Sequence, residues 1–152
     1  MSNIIFNIYT RVNSKLAPNS NETMDAMMVA AEIMNEQHSE EELAEIREFT
    51  KKLEPQHYPG FKSLYDEETS AKIWQVVGWV VRTHTLLNHV RDLLGIYTHM
   101  SSPNFNIEYT EDGKWLIKSF NSTENRELRR ELDFFYGMNL IKEIIEFADE
   151  TL

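Results

Sequence analysis

The chain has no cysteine, five glycines and four prolines in 152 residues, and no uninterrupted apolar run of membrane-spanning length. Each shortage removes a class of protein. Without cysteine there are no disulfides and no thiolate chemistry, which fits a reducing compartment, so cytoplasm is the expected location. Arg82 cuts the longest apolar candidate short of the ~18–20 residues that a membrane span needs. The first residues, MSNIIFNIYTR, lack a basic n-region and a small-residue cleavage site, so no signal peptide is expected. So few glycines leave little backbone for phosphate nests, and G-x-S-x-G, P-loop and G-x-G-x-x-G patterns are all missing. Neither a cofactor nor a catalytic nucleophile is expected.

Positive charge is scarce as well. Fifteen Lys and Arg face twenty-five Asp and Glu, a formal net charge of −10. The excess sits at both ends: −5 over residues 1–60, −1 over 61–120 and −4 over 121–152. Such a field repels nucleic acid and anionic membranes and attracts basic partners. Direct binding to DNA or RNA is therefore not expected.

What remains is a globular composition, 41% hydrophobic and 11% aromatic. A chain of this length fits one domain, 1–152, burying roughly two-thirds of its unfolded surface. Residues 70–100 are its most apolar stretch. There Ile73, Val76, Val77, Val80, Leu87, Val90, Leu94 and Tyr97 recur at helical spacing, which predicts a long central helix over about 67–100, with Asp66 able to cap it. Residues 3–16 fit a helix, with Ile4, Ile5, Ile8, Tyr9, Val12 and Leu16 on one arc, or less cleanly a strand. A helix over roughly 23–37 carries Met24, Met27, Met28, Ala31 and Met34. Ser39-Glu40-Glu41-Glu42 reads as a capping box opening another helix to about Leu53.

The one β signal is NFNIEYTEDGKWLIKSF. A three-residue loop Glu111-Asp112-Gly113, with Gly113 left-handed, pairs Tyr109 with Trp115 and Ile107 with Ile117. The last region, starting at Asn121-Ser122-Thr123-Glu124 and carrying Leu128, Leu132, Phe135 and Tyr136, reads as helical. The expected fold is thus mainly α (α+β): a helical bundle around the helix at about 67–100, with one β-hairpin at about 104–120 packed on it.

Three constellations could carry function. Arg82, His84, His89 and Arg91 interrupt the central helix, and such a cluster could hold an anionic ligand such as a nucleotide; equally, it is the helix's wet face. His84 and His89 are five apart, about 140° around a helix, so shared metal coordination is not expected. The Glu42, Glu45, Glu48 and Glu143, Glu146, Asp149 triplets resemble Mg²⁺-holding spacings of helical nucleotide hydrolases, but any acidic helix offers the same spacing. The methionine stripe suits either core or an adaptable interface.

The expectation is therefore a non-enzymatic, acidic inhibitor protein that blocks a basic or nucleic-acid-binding protein. Phage-encoded anti-defence inhibitors and toxin-immunity proteins share this character: small, acidic, cysteine-poor and without catalytic motifs. Glu41, Glu42, Glu45, Glu48, Glu143, Glu146, Asp149 and Glu150 are the expected partner-binding residues. The alternative is a small-ligand binding protein using Arg82, His84, His89 and Arg91. The breadth of the apolar surface on the central helix also permits a homodimer.

Overall fold

Asn3 opens the first helix, its side-chain oxygen accepting the Phe6 amide at 3.0 Å. Helix α1 is Ile4–Lys15, and of the two patterns legible there the 3.6-residue one wins. Ile4, Ile5, Ile8 and Val12 are buried along one side, while Asn7, Thr10, Asn13 and Ser14 face water. The computed structural model describes residues 3–16, 22–53, 58, 60, 62–98, 105–113, 115–121 and 126–132. For 22, 23, 86, 87, 89–98 and most strand residues that description covers the backbone alone. The protein is mainly helical, and four helices pack together among these residues.

Helix α2 is Glu22–Met34. It stops three residues earlier than its apolar pattern suggests. The Asn35 side chain donates to the Ala31 carbonyl at 2.9 Å, and the Glu36 amide turns back to the Ile33 carbonyl. Helix α3 is Glu40–Thr50, and its capping box is formed in both directions by Ser39 and Glu42. Helix α4 is Glu67–Thr98. It starts on Asp66, whose carboxylate accepts the Thr69 amide at 2.7 Å.

By contacts the chain forms two compact units, Met1–His84 and Thr85–Leu152, each described by itself. In the first, α1 packs on α2 and α3. Ile8, Ile33, Met34, Ile46 and Ile73 are its largest fully buried side chains. Each contributes about 1.5–3 kcal/mol through removal of apolar surface from water. Val76, Val77 and Val80 extend that core along α4. Trp79 ties three helices together: its ring meets Phe49 edge-on at 5.0 Å and tilts against Tyr9 at 6.0 Å.

The second unit contains an antiparallel sheet in the order β1 (Phe105–Tyr109), β2 (Trp115–Asn121), β3 (Arg126–Leu132). Tyr109 lies opposite Trp115 and Ile107 opposite Ile117. Gly113 takes φ +84° in the connecting loop and donates its amide to the Thr110 carbonyl at 3.0 Å.

Strand β3 is a correction to the helix expected from residue 121 onward. Leu128 and Leu132 are four apart, a spacing that keeps two residues on one side of a helix and of a strand alike. The periodicity could not separate the two states. Pairing does: β3 satisfies the outer edge of β2, where a lone hairpin would leave its backbone groups to water. Residues 133–152, the rest of that expected helical region, lie outside the described residues, as do the expected turn at 17–21 and most of the loop at 56–61.

Candidate protein-binding surface

From Leu16 to Ile46 the chain has no Lys or Arg and eight carboxylates: Glu22, Asp25, Glu32, Glu36, Glu40, Glu41, Glu42 and Glu45. Folding sorts those of α3 into two groups. Glu42 Oε1 accepts the Ser39 amide at 3.2 Å and its hydroxyl at 3.3 Å, completing the capping box. The other Glu42 oxygen lies 3.9 Å from His38 Nδ1. Glu45 reaches across to α1 and accepts the Ile4 amide at 3.1 Å, placing a negative charge on the positive end of that helix. Glu41 and Glu48 instead face water, Glu48 beside Lys51 at 3.0 Å. Two of the four expected binding carboxylates of α3 thus hold the fold, and two are presented outward.

A second acidic turn joins them. Tyr65 immediately precedes the cap of α4, and His38 immediately precedes the cap of α3. The Tyr65 hydroxyl accepts the His38 amide at 2.6 Å and donates to the Glu36 carbonyl at 2.8 Å. This bridge brings the start of α4, with Asp66, Glu67 and Glu68, beside the start of α3, with Glu40 and Glu41; all five are exposed. Hydrogen bonds from the Thr69 side chain and amide hold the Asp66 carboxyl below its ordinary range, and the positive charge of Arg47 acts in the same direction. Asp66 therefore keeps its charge further into acid than an ordinary aspartate.

On the other side of α2, Arg11 clamps Glu36 with two short bonds, 2.7 and 2.8 Å, and reaches Glu32 at 3.5 Å. The hydrogen bonds within this pair raise the pKa of Arg11 and lower that of Glu36. The methionine stripe splits between the two faces of α2. Met34 is fully buried, whereas Met24 and Met28 are 55% and 59% exposed.

The Arg and His residues of α4 do not assemble into a described site. Arg82 is exposed, and His84 is half-buried with Nδ1 3.0 Å from Asn13 Oδ1. His89 and Arg91 fall in the second unit, and the description of both is of backbone only. Glu143, Glu146, Asp149 and Glu150 lie outside the described residues. Among the described residues, no three His, Asp or Glu side chains converge as metal ligands, and no helix is long and apolar enough to cross a membrane.

Comparison with family models, with curated proteins and with solved structures finds no match for this chain. Two residues that shape these acidic groups, Tyr65 at the corner and Arg11 on Glu36, carried no signal in the sequence. Their partners lie 21 to 29 positions away, beyond the reach of any local pattern.

Proposed function

We propose that the protein is a non-enzymatic binder whose acidic surface occupies a basic, nucleic-acid-binding face of a partner protein in the cytoplasm, in the manner of phage anti-defence or toxin-immunity proteins. The observation that carries this reading is the shared corner of α3 and α4, where Tyr65 joins two acidic helix starts and Glu41, Glu67 and Glu68 all face water. Clustered charges of one sign steer association with an opposite patch and accelerate it, and neighbouring apolar contacts then hold the complex. Glu143, Glu146, Asp149 and Glu150 belong to the same proposal as a second acidic segment. We also propose that the helix at about 67–100 is the element around which bundle and hairpin are organised.

The test is affinity capture from host lysate at low and high salt, with wild type and a Glu41→Lys/Glu67→Lys/Glu68→Lys variant side by side. Glu42 and Glu45 stay intact, because reversing them would break helix caps. A basic protein retained stoichiometrically by wild type, released by salt and lost to the variant supports the reading. Retention indifferent to salt and to the triple charge reversal overturns it.

A further inference from the structure

Helix α2 is apolar on two opposite sides. Its inner side, with Ala26, Val29, Ala30, Ile33 and Met34, is buried in the core of the first unit. Its outer side carries Met24, Met27, Met28 and Ala31, at spacings of three, four and seven. Met24 and Met28 are more than half exposed, and Met27 and Ala31 are half-buried. Of the three large apolar side chains exposed among the described residues, two stand on this one face. We infer that the outer face of α2 is a docking surface for a basic amphipathic helix of a partner protein.

The spacing is that of a helix face read by another helix lying along it. Methionine supplies polarizable, unbranched side chains that repack against differing apolar partners. Charge selects the occupant. Asp25 and Glu32 border the stripe, and α2 contains no cation. Among the described residues Arg11, clamped on Glu36 and 3.5 Å from Glu32, is the cation ion-paired to α2, which leaves Asp25 and the net charge of −10 to set the sign. A second copy of this chain would bring another net charge of −10 to the same place, and an anionic bilayer would be repelled likewise. A helix with apolar residues on one side and Lys or Arg on its flanks satisfies both stripe and border. The inference rests on the proposed acidic-binder reading only for the sign of the partner's charge.

The probe is a synthetic leucine–lysine amphipathic helix of about five turns (~18 residues), with a leucine–glutamate counterpart as control. Binding is followed by calorimetry and by NMR of the methionine methyls. Met24→Gln/Met28→Gln keeps side-chain length and helix propensity, so the fold is retained. The lysine peptide should bind wild type, shift the Met24 and Met28 methyl signals and bind the double variant about tenfold more weakly. The glutamate peptide should not bind. Three outcomes overturn the inference: no binding of the lysine peptide, equal affinity for wild type and double variant, or a wild-type dimer in light scattering that the double variant abolishes. If affinity survives the glutamines but falls in the Glu41→Lys/Glu67→Lys/Glu68→Lys variant, the peptide sits at the acidic corner, and the proposed function stands without this surface.

Discussion

The hydroxyl of Tyr65 accepts the amide hydrogen of His38 at 2.6 Å, and the two rings stack with centroids 5.8 Å apart. Each residue directly precedes a helix cap, so one contact sets where two helices begin relative to each other. The His38 ring is also fixed by the Ile33 carbonyl, 3.0 Å from Nε2. The corner at which the carboxylates of α3 and α4 gather is therefore a consequence of packing between two aromatic rings and one hydroxyl.

Tyr65→Phe tests that consequence. The ring stays and the stack is kept, but the His38 amide and the Glu36 carbonyl both lose a partner. Leaving the partly buried His38 amide unpaired costs about 1–3 kcal/mol, while the exposed Glu36 carbonyl can turn to water. Urea unfolding should show a lower midpoint with an unchanged slope, since the surface exposed on unfolding is the same. A midpoint equal to wild type would mean that water replaces the hydroxyl without loss.

Glu45→Ala should destabilise the protein by about 1 kcal/mol, the usual worth of a helix cap, because the Ile4 amide loses its acceptor. Glu45→Gln keeps an oxygen in place and should recover part of that loss. Glu41→Ala touches nothing in the fold and should stay within about 0.5 kcal/mol of wild type. Amide exchange at the first turn of α1 separates the cases: it should quicken in Glu45→Ala alone.

How much of this was legible depended on range along the chain. The Ser39–Glu42 box and the Asp66 cap were readable because each is complete within four residues. Helix α1 was readable because four buried apolar residues keep a 3.6-residue spacing. The bridges from Tyr65 to His38 and from Glu45 to Ile4 were not, since they join residues 27 and 41 positions apart. The methionine stripe failed for a different reason. Helix α2 is apolar nearly all round, so its pattern could not say that Met34 turns inward while Met24 and Met28 turn out. Glu45 looks like Glu41 and Glu48 in sequence, and only the neighbouring helix α1 assigns it a structural role, whereas Glu42 was legible as the box partner of Ser39.

The Arg11–Glu36 clamp gives the stability a defined dependence on acid. The folded-state pKa of Glu36 lies below the ordinary carboxyl value of 4.5, so the pair contributes fully above that value and is lost as pH falls through the lower, folded one. Both partners are about a third or more exposed, so the contribution is about 0.2–1 kcal/mol. Asp66, lowered from 3.8 by Thr69, has the same sign. Glu36→Gln should flatten the fall in melting temperature between about pH 5 and pH 3 and leave the neutral-pH value slightly reduced. A double-mutant cycle with Arg11→Met should assign most of that difference to the pair. An identical acid profile in wild type and Glu36→Gln would show that the clamp carries no net stability.

Gly113 provides the corresponding test in the second unit. Its φ of +84° lies where an L-residue costs about 1–2 kcal/mol. A Cβ there would sit 3.6 Å from the Tyr109 hydroxyl oxygen, an ordinary contact, so the whole cost is backbone strain rather than collision. Gly113→Ala should thus weaken the connection between β1 and β2 by that amount. Gly113→Asn should weaken it less, because a short polar side chain tolerates the left-handed region. Amide exchange in β1 and β2 is the measurement: protection should fall in the order glycine, asparagine, alanine. Equal protection in all three would mean that the turn adopts another conformation, and the pairing of Tyr109 with Trp115 would then have to shift with it, since loop length and register are set together.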